Sequence, residues 1–219
     1  MICFVIAMEK EAAPVLAQTE KKKERYICGK RVISGKIYGK KTAVVICGIG
    51  KVNAAVGAQI AIDRLKADKI INLGVAGGIK KDLEIGDIYG ISAAVQYDFD
   101  LAAINGTAIG TLDEFKENYI PLNVKNLFPL KKLATGDRFN DSKDDFKLLT
   151  NVLNADIRDM EGGAIAQVCT HAKVEFYSFK AISDVYGRGS TAKQYMENTE
   201  LCMSRFSERL KDIWGVICG

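Results

Sequence analysis

Ile2-Cys3-Phe4-Val5-Ile6-Ala7 is an unbroken apolar run of strand length. A strand with one wet face would alternate apolar and polar positions. A run without any polar position reads as a strand covered on both faces, as in an α/β sheet flanked by helices. Outward from it the same alternation recurs. Glu9–Leu16 has helical character. Arg25–Tyr38 and Lys41–Cys47 read as strands joined at Tyr38-Gly39-Lys40. Gly48-Ile49-Gly50-Lys51 then opens an Ala-rich amphipathic helix from Val52 to Leu65. Lys69–Leu73 is a second buried strand, running into Gly74-Val75-Ala76-Gly77-Gly78, and Ile85–Val95 is a third, opened by a Gly86-Asp87 turn. Tyr97–Leu130, with two of the three prolines, reads as loop with some helix. Lys132–Thr135 and Ala155–Asp159 are short strands around a helix at Ser142–Val152, N-capped by Ser142. Glu161–His171 is helix, Val174–Ile182 buried strand, and Ala192–Ile213 the closing helix. Strands and helices in this order predict one α/β domain over residues 1–219.

The chain has 219 residues, 48% of them hydrophobic and 26% charged, the balance of a globular protein with a sizeable core. A net charge of +4 and one dense basic run, Lys21-Lys22-Lys23-Glu24-Arg25, read as a solvated turn, argue against a nucleic-acid partner. The apolar N-terminus lacks the basic flank and cleavage pattern of a signal peptide, and no segment approaches the ~20 residues of a membrane span. The six cysteines are scattered without a Cys-x-x-Cys pair, and the single histidine, His171, has no clustered partners. The expectation is a cytoplasmic protein with neither metal nor organic cofactor.

Three acids follow strands: Glu11, Glu161 and Asp184. Ligands of open α/β sheets bind beyond the carboxyl ends of strands, so three carboxylates at such switches suggest convergence on one site. Each alone is equally well a helix cap, because acids favour the positive N-terminal end of a helix. Gly48-x-Gly50 resembles half a dinucleotide fingerprint, with Asn53 where a third glycine would fall, and Gly50-Lys51 lacks the rest of a phosphate loop. Together with Gly74–Gly78, these glycines indicate close backbone approach to a small ligand without identifying it.

The ordered segments Ala7-Met8-Glu9-Lys10-Glu11, Gly48-Ile49-Gly50-Lys51-Val52, Asn72–Gly78, Gly86-Asp87, Gly136-Asp137-Arg138-Phe139, Asp159-Met160-Glu161 and Ala181-Ile182-Ser183-Asp184 carry more. Together they resemble the 5′-methylthioadenosine/S-adenosylhomocysteine nucleosidase branch of the purine nucleoside phosphorylase family, over nearly the whole chain and least between Tyr97 and Leu130. The resemblance implies a single-domain nucleoside phosphorylase-like α/β fold, with a central mixed twisted sheet between helices. It implies hydrolysis of a purine nucleoside by water: Glu11 deprotonates the water, Glu161 binds the ribose hydroxyls with Met160 against the sugar, and Asp184 protonates N7. Ser183 orients Asp184, Phe139 stacks on the base, and Ile49 lines the 5′ side. Val75, Ala76, Gly77, Asn140 and Tyr195 complete the implied substrate-binding set, and a homodimer is implied. The chemistry wants these groups, because cleaving an N-glycosidic bond builds positive charge on the sugar and negative charge on the base.

The sequence also departs from that pattern. Val75 stands where the family commonly has serine, Arg138 falls beside Phe139, and Tyr97-Asp98-Phe99-Asp100 only loosely follows the family's His-Asp-x-Asp. Three alternatives stay open: a nucleosidase for a different purine nucleoside, a phosphate-dependent phosphorylase, and a nucleoside-binding module without turnover. The phosphorylase would need arginines around its anion, and Gly74–Gly78 has none.

Overall fold

The computed structural model describes residues 1–218. In chain order the elements are β1 (Ile2–Ile6), α1 (Glu9–Ala17), β2 (Glu20–Ile27), β3 (Lys30–Ile37), β4 (Lys40–Ile46), α2 (Lys51–Gln59, continued by a π-helical turn at Ile60–Arg64), β5 (Lys69–Gly78) and β6 (Ile88–Gln96). They continue with α3 (Ala102–Asn105), β7 (Ile120–Pro121), β8 (Leu130–Thr135), α4 (Lys143–Lys147, with a π-helical turn at Leu148–Val152), β9 (Ile157–Asp159), α5 (Gly162–Ala172), β10 (Glu175–Val185) and α6 (Thr191–Cys218).

The unbroken apolar run of β1 is explained by what packs on it. Cys3 and Val5 belong to the core under α2 and α5, and Ile2, Phe4 and Ile6 to the core under α1 and α6. Phe4 is fully buried and stacks on Trp214 of α6, ring centroids 6.4 Å apart. Parallel pairing with β4 on one side and β5 on the other leaves β1 no exposed edge over its first half. The ten strands form one mixed sheet. Strands β5, β10, β6, β8 and β9 close into a ring, while β1, β4, β3 and β2 extend from β5 as an open wing.

The junction of ring and wing positions everything that follows. On one edge, β5 pairs with β1 at Lys69–Ile71 and with β9 at Gly77 and Gly78. Between these, β5 has no ladder partner on that edge, so the sheet splits there, the kind of switch point where α/β sheets bind ligands. The Asn72 side chain closes the start of the split by donating to the Val5 carbonyl at 2.9 Å.

Several sequence expectations change. Arg25–Tyr38 is not one strand but parts of two, because Cys28 and Gly29 both take positive φ (+49° and +73°) and turn the chain into a hairpin. The basic run Lys21–Arg25 is not a turn: it lies in the exposed edge strand β2, where lysines blunt edge-to-edge pairing. Strand β10 runs to Val185, so Asp184 sits within the strand and not after it. Tyr97–Leu130 is largely irregular, with the short α3 and β7 inside it. Ser142 caps α4 as expected, accepting from the Asp145 amide.

Candidate active site

The split in the sheet opens into a cavity of about 510 Å³, within the range that small-molecule sites occupy. Glu11, Glu161, Asp184, Met160, Phe139, Ser183, Ile49, Val75, Ala76, Gly77 and Tyr195 all line it. Asn140 does not: its amide donates to Asp145 at 2.9 Å and its carbonyl accepts from the Ser142 amide, so this side chain organises the start of α4. The cavity also holds Met8, Arg138, Arg158 and Asp159, none of which was among the expected binding residues.

Glu11 stands in the first turn of α1 and resolves the choice between cap and site by serving both. One carboxylate oxygen accepts from the Met8 amide at 3.2 Å, closing the helix N-terminus; the other accepts from Val75 at 2.9 Å, taking up a β5 amide in the split. Gly74 makes this possible: a Cβ there would lie 2.6 Å from Glu11 Oε1. Burial drives the Glu11 carboxyl above the usual range, against the pull of Lys180 and the two amides.

Glu161 is reached from β9 through the residue ahead of α5. Its Oε1 accepts from the Gly50 amide at 2.8 Å, and Gly50 has φ +97°, which explains glycine at this turn. Burial and then Asp159 push its carboxyl up to about 7, with Lys180 opposing. Asp184 follows a register shift between Ile182 and Asp184, a bulge that re-aims the strand's side chains. Ser183 donates to Asp184 Oδ1 at 2.7 Å, while Oδ2 is buried with no partner. Burial raises this carboxyl, and Ser183 and Arg158 hold it back. A buried carboxyl with one free oxygen and a raised pKa is suited to carrying a proton to a ligand.

The acids share a counter-charge that the sequence reading passed over. Lys180 of β10 is 2% exposed and its Nζ lies 2.8 Å from Asp159 Oδ2. Burial pulls the Lys180 ammonium down, but Asp159, Glu161 and Glu11 together hold it above its ordinary value, so it stays charged. Asp159 also accepts from Thr135 at 2.5 Å and from the Gly162 amide at 2.8 Å. A lysine in the otherwise buried strand Val174–Ile182 was the available signal, since a charge there demands a partner. At the opposite wall, Phe139 is half exposed and meets Tyr195 edge-on at 5.5 Å, and the Tyr195 hydroxyl reaches the Met8 sulfur at 3.5 Å. Arg138 reaches from the same loop to Asp145 at 2.9 Å.

Among the described residues no group of three or more His, Cys, Asp or Glu side chains is arranged to hold a metal ion, and no helix is long and apolar enough to cross a membrane. His171 pairs with Glu114 at 2.7 Å on the surface.

The comparisons with known proteins agree with this fold. The model of the phosphorylase superfamily matches residues 1–214. The 5′-methylthioadenosine/S-adenosylhomocysteine nucleosidase of Geobacillus sp. (strain WCH70) is 31% identical, over 86% of this chain and 87% of the relative. Its counterpart in Bacillus anthracis is 30% identical, over 94% and 95%. Among solved structures, the nucleosidase of Colwellia psychrerythraea in complex with adenine superposes with TM-score 0.89 at 28% identity, covering 98% of this chain and 94% of that one. Futalosine hydrolase of Helicobacter pylori has the same fold, with TM-score 0.90 at 24% identity, covering 98% and 97%.

The raised carboxyl of Glu161 has a consequence for stability. A folded-state pKa above the unfolded one favours the folded protein while the group is protonated, and that stability is lost as pH rises from about 4.5 through about 7. Glu161→Gln cannot ionise and escapes this loss. Thermal midpoints at pH 5 and pH 8 should therefore differ less in the variant than in the parent; an equal or larger difference contradicts the burial argument.

Proposed function

This chain belongs to the phosphorylase superfamily, and on that premise we propose that it is an N-ribosyl hydrolase of adenine nucleosides, 5′-methylthioadenosine and S-adenosylhomocysteine. The observation that carries the reading is the free, buried Oδ2 of Asp184, in one cavity with two further carboxyls whose oxygens are fixed by backbone amides.

In the proposed reaction a water held by Glu11 attacks C1′ of the ribose while the C1′–N9 bond breaks. Glu11 takes a proton from the water, and Asp184 gives its proton to N7, so the base leaves neutral. Positive charge gathers on the sugar and is met by Glu161, which also binds the ribose hydroxyls, with Met160 packed beneath the ring. Phe139 stacks on the base, Ser183 holds Asp184, and Ile49 and Tyr195 border the 5′ substituent. Val75, Ala76 and Gly77 floor the cavity. Gly77 has to lack a side chain, because a Cβ would stand 2.8 Å from Asp184 Oδ2. Asn140, tied to Asp145, acts only by shaping the loop that carries Phe139.

Water as the nucleophile is favoured over phosphate by the surroundings of Glu11. The cavity's arginines, Arg138 and Arg158, stand with Phe139 and Asp184, and Lys180 is committed to Asp159. Among the described residues, Lys180 is the one of these cations whose charge acts on Glu11, and Asp159 already engages it, so a dianion there would lack the arginines it needs.

We place the enzyme in the cytoplasm, in recycling of the thio-nucleosides left by methionine-derived donors; its six free thiols, five of them buried, fit a reducing compartment. We also propose a homodimer. Ile49, Val52 and Met196 are exposed at 50%, 76% and 72%, and Ile49 and Met196 line the cavity, so a partner covering this mouth would complete the 5′ side.

Asp184→Asn keeps the shape of the side chain but removes the transferable proton. Its kcat for 5′-methylthioadenosine should fall about 10²–10⁴-fold, the range of one general acid, with an unchanged circular dichroism spectrum. Substantial turnover by a folded variant would contradict the assignment. Sedimentation velocity of the purified chain should give a dimer; a monomer with full activity would remove the dimer from the account.

A further inference from the structure

The reaction described above leaves one buried cation of the cavity without a task. Arg158, on β9, is 9% exposed, and its Nη2 has no hydrogen-bond partner. It shares one spot with the acid of the reaction: a Cβ on Gly77 would lie 2.8 Å from Asp184 Oδ2 and 3.2 Å from Arg158 Nε. Together with the Tyr97 hydroxyl, these are the buried side-chain polar atoms left without partners among the described residues. A buried guanidinium donor without an acceptor is costly, so its persistence points to a ligand that supplies one. The surrounding carboxylate oxygens are already engaged, except Asp184 Oδ2, whose proton the reaction directs at N7. Asp145 accepts from Arg138 and Asn140, Asp159 from Lys180, Thr135 and Gly162, and Asp184 Oδ1 from Ser183.

The purine edge supplies the missing acceptor. N7 and the substituent on C6 lie side by side on one edge of the base. A 6-oxo group there accepts a hydrogen bond, whereas a 6-amino group donates. Arginine only donates. On one side of N7, C8 carries only hydrogen, so a donor beside Asp184 finds its acceptor on the other side, at the C6 substituent. We propose, resting on the N7 role of Asp184 given above, that Arg158 donates to O6 and that this pocket takes 6-oxopurine (hypoxanthine-type) nucleosides as well as adenine nucleosides. The same guanidinium then stabilises the negative charge that spreads onto O6 as the base departs.

The test compares inosine and adenosine carrying the same 5′-methylthio group, in the parent protein and in Arg158→Met and Arg158→Lys. The parent should release hypoxanthine with a kcat/KM at least about one tenth of that for adenine release. In Arg158→Met the oxo-to-amino ratio should fall by about tenfold or more, the scale of one charge-assisted hydrogen bond, and Arg158→Lys should recover part of it. A merely structural arginine would lower both substrates in parallel and leave the ratio unchanged, which overturns the proposal. Release of adenine with no release of hypoxanthine overturns it as well, while leaving the hydrolase reading intact. Should the parent cleave neither nucleoside, the hydrolase reading fails and calorimetric binding of the free bases decides. Hypoxanthine bound at least as tightly as adenine, and weakened in Arg158→Lys, supports the proposal; binding of adenine alone overturns it. Arg158→Lys also carries the ratio test if Arg158→Met does not fold.

Discussion

A single buried ammonium holds this site together. Lys180 reaches from the middle of β10 to Asp159 while Glu11 and Glu161 lie within range of its charge. Three carboxyls gathered in one buried cluster would otherwise repel one another, which favours their neutral forms. The ammonium is costly to bury, and it is offset by Asp159, whose two oxygens are filled by Lys180, Thr135 and the Gly162 amide. Burial of the charge, tension among the acids and the raised carboxyls of Glu11 and Glu161 are therefore one arrangement. Asp184 stands apart from it, opposed by Ser183 and Arg158, and keeps an oxygen free.

The backbone provides what the charges require. Because β5 passes from β1 to β9 along one edge, the Val75 amide is released from the ladder and becomes available to Glu11. Gly74 and Gly77 keep the same strand bare where the carboxyls of Glu11 and Asp184 pass. Gly50 turns the chain so that its amide meets Glu161. Three acids from distant parts of the chain thus rest on three close approaches of glycine backbone.

Much of this was legible in the residues, and the reasons for the remainder are physical. The apolar run of β1 announced a strand covered on both faces, which Phe4 on Trp214 and Val5 under α2 bear out. The glycine segments announced close approach, although not to which side chains. Pattern alone left Glu11 between cap and site residue because its carboxylate both closes α1 and lines the cavity, and helix-end chemistry looks the same in either role. The Cys28-Gly29 turn was hidden because the positive φ at Cys28 falls on a residue that seldom adopts it. Lys180 and Arg158 were passed over because a charge within a buried strand shows its purpose only once the partner strands are in place. Asn140, implied by the resemblance, keeps its side chain out of the cavity because Asp145 and Ser142 hold it at the start of α4.

The central claim is that these acids direct water, and not phosphate, at a purine nucleoside. The most direct measurement follows 5′-methylthioadenosine with the purified protein in phosphate-free buffer and again after phosphate is added, counting adenine, free reducing sugar and sugar 1-phosphate. The account predicts equal amounts of adenine and free sugar at a rate indifferent to phosphate. Adenine release that depends on phosphate, with sugar 1-phosphate as the product, would contradict it.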